Sequence, residues 1–285
     1  MNNKLKSPVN IPVEKIHPFE GHPYKVLDNE EMNTLIESIQ QKGVISPIVV
    51  RPLENTEDEY EIISGHRRLR ASVKAGLETV PALIYAVSRD EAAIILVDSN
   101  LHREHIFPSE KAFAYKLKLE AIKRQGERTD LTSRQVVGKL ESADIVSETE
   151  SGRQVQRYIR LTNLIPELLD LVDEERIAFT PAVELSYLNE VEQADLVEEI
   201  RVCDATPNLS QAQRLRAISR EEGLTPEHIG EILSEEKANQ REKIKIPAER
   251  IRKYFPKSYT TEQIEEAIIK ICESRYRARQ SRDAR

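Results

Sequence analysis

Two adjacent arginines, Arg67 and Arg68, directly follow the turn Ser64-Gly65-His66 and precede Leu69-Arg70-Ala71. Tyr60, Ile62 and Ile63 predict the end of a strand, and Leu69, Val73 and Leu77 the buried stripe of a helix. The arginines then stand in the helix's first turns, where free N–H groups and the positive end of the dipole favour an anion such as phosphate. Their guanidinium forks match phosphate oxygens. A solvated basic helix start fits the same spacing equally well.

A second candidate lies at 152–163. Arg153, Gln156, Arg157 and Arg160 fall at i, i+3, i+4 and i+7, with Gln154 beside them, while Val155, Tyr158, Ile159 and Thr162 form a packing face. Ser151 is the expected N-cap. Arginine and glutamine make bidentate contacts with guanine and adenine edges, so this stripe suits a major groove. A short helix expected at 134–140, capped by Thr132 or Ser133, would complete a helix–turn–helix, although the connection 141–150 exceeds the usual turn. A solvated basic face is the plain alternative.

The elements that must hold these groups change character along the chain. Strands are expected at 11–13, 47–51, 60–63 and 82–86, and helices at 29–42 and 67–75. From Ser88 the pattern is helical: 90–100, 108–125 with Ser109 as N-cap, 167–172, 181–188, 191–201, 210–222 and 226–236, with Ser210 and Thr225 as N-caps and Gly223 as C-cap. A last unit at 244–275 carries Ile264, Ala267, Ile268 and Ile271 on one stripe. The expected class is α+β, with a small mixed α/β domain (1–105), a helical helix–turn–helix domain (106–205) and a helical C-terminal region with a basic tail (206–285).

Composition narrows the function. The chain of 285 residues carries a net charge of −7, which by itself disfavours nucleic acid. Distribution matters more: 167–236 holds roughly three acids per base and 237–285 roughly two bases per acid. Cys203 and Cys272 stand far apart, which argues against a disulfide frame or thiolate zinc site. No run is long enough for a membrane span, and the N-terminus lacks a signal-peptide core, so a cytoplasmic protein is expected. Asp98, His66, His102 and His105 form no credible metal set, and Glu30-Glu31 and Glu174-Glu175 look like solvated helix faces.

Further motifs flank the arginine turn: Gly43-Val44-Ile45-Ser46-Pro47 upstream, Gly76-Leu77 and Val80-Pro81-Ala82 downstream, then Asn100-Leu101-His102-Arg103-Glu104 and Pro108-Ser109-Glu110. In this order the segment from about Val9 to Pro166 resembles the ParB family of DNA-partition proteins, and its front resembles the ParB/sulfiredoxin-like fold. The resemblance implies a CTP site in which Gly65, Arg67 and Arg68 match the phosphate motif, with His66 among the site residues, Gly43 and Pro47 match the first nucleotide motif, Asn100 the Mg²⁺-associated asparagine and Arg103 the arginine after it. It also implies a CTP-dependent clamp on double-stranded DNA at a palindromic partition site, a homodimer, a ParA-type ATPase as partner, and a nucleoid- or plasmid-associated location. Divergence suggests a plasmid or mobile-element version.

Two positions depart from the family pattern. His66 stands where Glu usually follows the glycine, and Ser99 where Glu usually precedes the asparagine. The second change removes a hard oxygen ligand for Mg²⁺, so enzymatic activity is at most slow CTP hydrolysis. A competing reading is a helix–turn–helix transcription regulator with a vestigial nucleotide pocket. Enzymatic readings based on the sulfiredoxin-type fold, phosphotransferases or nucleases find no thiol at position 66 and no paired carboxylates at metal spacing.

Overall fold

The computed structural model describes residues 7–235 apart from 55, 104, 131–145 and 148–149, with only the backbone of 126–130. Beyond them it describes 251–256, 259–260, 263–264, 266–271 and 273–275. The chain divides into a unit from Met1 to Glu235 and a second from Glu236 to Arg285. The expected helix at 134–140 with its caps, most of the connection 141–150, Cys272 and the tail 276–285 lie outside the described residues.

The front of the first unit is a five-stranded mixed sheet: β1 (Val9–Pro12), β2 (Ile16–His17), β3 (Ile48–Pro52), β4 (Tyr60–Ser64) and β5 (Thr79–Ile84). Their order is β1-β5-β3-β4-β2, with β1/β5 and β3/β4 antiparallel and β5/β3 and β4/β2 parallel. The last strand begins and ends earlier than the expected 82–86, since Val80 and Ala82 are buried in the core and Ile84 packs against it only in part. Alternation along β3 and β4 sends Ile48, Val50 and Ile62 to one core and Ile63 to another, which is why these apolar runs are continuous.

Helices α1 (Glu30–Lys42) and α2 (His66–Lys74) pack together through Met32, Ile39 and Ala71, with Leu35, Ala75 and Leu77 around them. Asn29 caps α1 by accepting from the Met32 N–H. The expected stripe on α2 needs correction: Val73 is 55% exposed, and Ala71 and Ser72 are buried. Small residues face inward because α2 lies close to both α1 and β3, and larger side chains would hold it away.

Helix α3 (Arg89–Leu101), opened by a Ser88–Glu91 capping box, packs on α4 (Pro108–Asp130) through Ala92, Ala93, Leu96, Val97, Ala114 and Ala121. Ser109 is not the N-cap of α4. It lies inside the helix, and its N–H and Oγ–H both donate to Asp173. Then come α5 (Gly152–Leu161), α6 (Pro166–Asp173), α7 (Phe179–Leu185), α8 (Glu190–Cys203), α9 (Leu209–Glu221) and α10 (Pro226–Ser234). The N-cap of α9 is Asn208, not Ser210, since Asn208 completes a capping box with Gln211. One apolar core joins Leu161, Leu168, Leu185, Leu196, Leu215 and Ile229, so packing is continuous across residue 205. Buried Glu192 reinforces it, accepting from Ser219 Oγ and the Leu224 N–H. In the second unit, Ile264, Ala267 and Ile268 are half-buried while Ile269 and Ile271 are exposed.

Among the described residues, no helix is long and apolar enough to cross a membrane.

Candidate functional site

The strand–turn–helix unit β4–Gly65–α2 opens onto a cavity of about 260 Å³. Gly65 holds φ 101°, a left-handed conformation that L side chains rarely adopt. A Cβ there would lie 2.9 Å from Ile48 Cγ2 and 3.1 Å from an Arg68 guanidinium nitrogen. Gly65→Ala should therefore cost about 2–4 kcal/mol in stability from backbone strain and overpacking. Chemical denaturation checks this, and an unchanged midpoint would show that the turn relaxes freely. No side chain caps the N-terminus of α2, so its positive end faces the cavity rim.

Six sequence-identified residues line one wall or another of the cavity: Gly65, His66, Arg67, Arg68, Asn100 and Arg103. Gly43 and Pro47 are not in the lining. Gly43 ends α1 at φ 70°, and the Pro47 carbonyl accepts from Arg68 Nη1 at 2.7 Å, as does Ser46 at 2.6 Å. Arg68 thus ties the 43–47 loop to the cavity, and Arg67 Nη2 donates to Glu31 at 3.0 Å. Burial pushes the Arg68 pKa down, and its carbonyl partners keep it in place.

Sequence reasoning missed His22, Tyr24, Lys25 and Val26 in the lining. They come from an irregular segment before α1, where no periodicity marks a face. The available signal was composition: His17-Pro18-Phe19 and His22-Pro23-Tyr24 concentrate rings that need somewhere to pack. Tyr24 is buried, with Arg103 5.5 Å from its ring centroid, and burial raises its phenol pKa. Lys25 links the cavity to the helical part, since its Nζ donates to Asp170 and Asp173 at 3.2 and 3.1 Å. Its N–H donates to Glu110 at 2.7 Å.

His22 and His66 stack with ring centroids 3.7 Å apart. Burial lowers the His22 pKa to about 4, opposed by a backbone hydrogen bond at Tyr24 and aided by Arg103. Burial, then His22 and then Arg103, lowers His66 to about 3. Both imidazoles are neutral at pH 7. The unfolded chain, at 6.5, gains protons first on acidification, so stability is lost as pH falls from 6.5 toward 4. Each ring contributes at most about 1.4 kcal/mol per pH unit. The His22→Gln/His66→Gln variant should show a flatter dependence in urea melts between these limits, and an unchanged slope would exclude the pair as its source.

The donor set does not fit a protein-held magnesium ion. Among the described residues, none of those lining the cavity is Asp or Glu. Asn100 Nδ2 donates to the Leu96 carbonyl and to Ser99 Oγ, which leaves only the amide oxygen for a metal. Asp98 is taken by Lys118 Nζ at 2.5 Å and does not line the cavity. Magnesium sites of this kind usually use one or two carboxylates. No group of three or more His, Cys, Asp or Glu that could hold a metal occurs among the described residues, His102 and His105 included.

The stripe on α5 separates into two kinds of residue. Ser151 caps the helix as expected, and Arg153 and Gln156 are exposed. Arg157 donates to Gln154 Oε1 and Thr180 Oγ1, both at 3.1 Å, and lies 5.0 Å from the Phe179 ring. Arg160 donates to the Ser186 carbonyl at 3.0 Å and lies 3.9 Å from the Tyr187 ring. These two bind α5 to α7. Of the packing face, Val155 is buried and Tyr158 and Ile159 are half-buried. Leu161 enters the larger core, against which Tyr158 also packs, while Val155 and Ile159 pack in a separate cluster with Tyr115 and Leu119, a division the stripe did not reveal.

A family model described as the ParB N-terminal domain matches residues 2–101. The chain is 34% identical over 193 residues to a nucleoid occlusion protein of Listeria innocua, covering 67% of this chain and 62% of the relative. It is 32% identical over 203 residues to a nucleoid occlusion protein of Listeria monocytogenes, covering 67% of each. The matched region thus spans about two thirds of these relatives' length. A C-terminally truncated chromosome-partitioning protein ParB from Caulobacter crescentus, solved with CTP-gamma-S, is 25% identical, with a TM-score of 0.33. That alignment covers 69% of this chain and 99% of the other. With two thirds of the Listeria monocytogenes relative aligned at 32% identity and the ParB N-terminal domain matched at its front, the chain belongs to the ParB family.

Proposed function

We propose that this chain is a DNA-binding partition protein of the ParB type, whose front cavity binds CTP and whose α5 helix reads a partition site. One observation carries the nucleotide half. Lys25, Arg67, Arg68 and Arg103 converge with the N-terminus of α2 on one cavity that has no carboxylate in its described lining. Such a surface favours a polyphosphate. Choice of cytosine rests on the family resemblance, as do the palindromic site, the homodimer, the ParA-type ATPase partner and a CTP-dependent clamp.

The chain's own groups account for binding and orientation. Arg67 and Arg68 exchange Glu31 and the Ser46 and Pro47 carbonyls for phosphate oxygens, so ligand entry and the position of the 43–47 loop are coupled. Lys25 carries the same competition to Asp170 and Asp173 on α6. Calorimetry with CTP, ATP, GTP and UTP tests the proposal, with selective CTP binding as the expected result. No heat with any nucleotide, with or without DNA, would overturn it.

A second reading, a helix–turn–helix regulator with a relic pocket, gains from the internal partners that Arg67 and Arg68 already have. Specific DNA binding that CTP leaves unchanged would select it.

A further inference from the structure

We infer that this cavity neutralises a bound polyphosphate with the chain's own cations and takes it without a divalent metal ion. The inference rests on the nucleotide reading above and deepens it. Metal-bridged triphosphate sites divide the work: carboxylates hold the ion, and the ion screens the phosphates. Here the first half is missing from the described lining, while the second is duplicated by Lys25, Arg67, Arg68 and Arg103.

The carboxylates nearest in the fold are already committed. Glu31 accepts from Arg67, Asp98 from Lys118, Asp170 and Asp173 from Lys25 Nζ, and Glu110 from the N–H groups of Lys25 and Phe107. The side-chain oxygens in the lining belong to Tyr24, Ser64, Ser99 and Asn100, all neutral. A magnesium ion entering with the phosphates would face several fixed positive charges and gain no anionic protein ligand. It would also occupy the phosphate oxygens that the guanidinium forks of Arg67 and Arg68 need before they leave their present acceptors. The buried His66 Nε2, beside His22, has no hydrogen-bond partner and, in its neutral Nε2–H tautomer, can donate to an arriving anion.

The test is calorimetry of the full chain with CTP and with inorganic tripolyphosphate, each in excess MgCl₂ and in excess EDTA. The expected result is CTP affinity in EDTA equal to that in Mg²⁺ within about threefold, or tighter. A loss of more than about tenfold in EDTA would overturn the inference while leaving the nucleotide reading intact. Tripolyphosphate binding in EDTA without any CTP binding would support the metal-free anion site and reject CTP as its ligand. No binding of either probe under either condition would reject both. A Ser99→Glu variant supplies the reciprocal arm. Its carboxylate should weaken CTP in EDTA by about tenfold and restore it with Mg²⁺. Equal affinity of this variant in both media would count against the charge argument.

Discussion

Replacing both arginines in Arg67→Ala/Arg68→Ala should abolish CTP binding while leaving binding to a short DNA duplex unchanged. Each guanidinium offers charge-assisted hydrogen bonds of about 1.5–3 kcal/mol to a phosphate, so losing both weakens binding by about two to four orders of magnitude. The two sites contribute differently. Arg67 pairs with an exposed glutamate, and surface pairs of this kind add little to stability. Arg68 holds two loop carbonyls, so its removal also loosens the 43–47 loop. Arg68→Lys separates these effects: it keeps a positive charge but lacks the planar fork that reaches both carbonyls. It should retain weak CTP affinity. Thermal melts of both variants establish that the fold survives. Unchanged CTP affinity in the double variant would remove the nucleotide assignment.

Much of the front domain was legible because its signals are local. Gly65 between an apolar run and Arg67-Arg68 specifies a strand, a turn and a helix start within a few residues, and the structure has all three. Asn100 lies in the last turn of α3 and Arg103 just beyond it, so both reach the same cavity, and the apolar spacing of 90–100 was readable. The other wall was not legible. His22, Tyr24, Lys25 and Val26 lie in irregular chain, and tertiary packing brings them to the cavity, Tyr24 against α3 and α4, Val26 against α1 and α2, and His22 against His66. Val73 failed for a related reason: spacing gives the period of a stripe, but the closeness of α1 decided that Ala71 and Ser72 face inward. On α5 the sequence located the cationic stripe but could not tell which arginines α7 would claim, since Phe179, Thr180 and Tyr187 are remote in sequence.

That division of α5 makes the second large prediction specific. Arg153→Ala/Gln156→Ala should remove discrimination between a duplex enriched from a random library by the wild-type chain and a scrambled duplex of equal length. It should leave thermal stability unchanged. The two exposed side chains are those free to meet base edges, and a bidentate contact is worth about 1–3 kcal/mol of discrimination. Losing both therefore narrows the affinity ratio by about one to four orders of magnitude at fixed salt. Arg157→Ala and Arg160→Ala should behave in the opposite sense. Each deletes a hydrogen bond to α7 and a guanidinium over an aromatic ring, so the melting temperature falls before specificity does. Competition binding at one salt concentration, read beside the melts, distinguishes the pairs. If Arg157→Ala or Arg160→Ala destroys specificity with no change in melting, these arginines leave α7 on DNA and the division drawn here is wrong. If Arg153→Ala/Gln156→Ala keeps full discrimination, α5 is not the reading helix, and the basic stripe is a solvated face that helps only to hold α7.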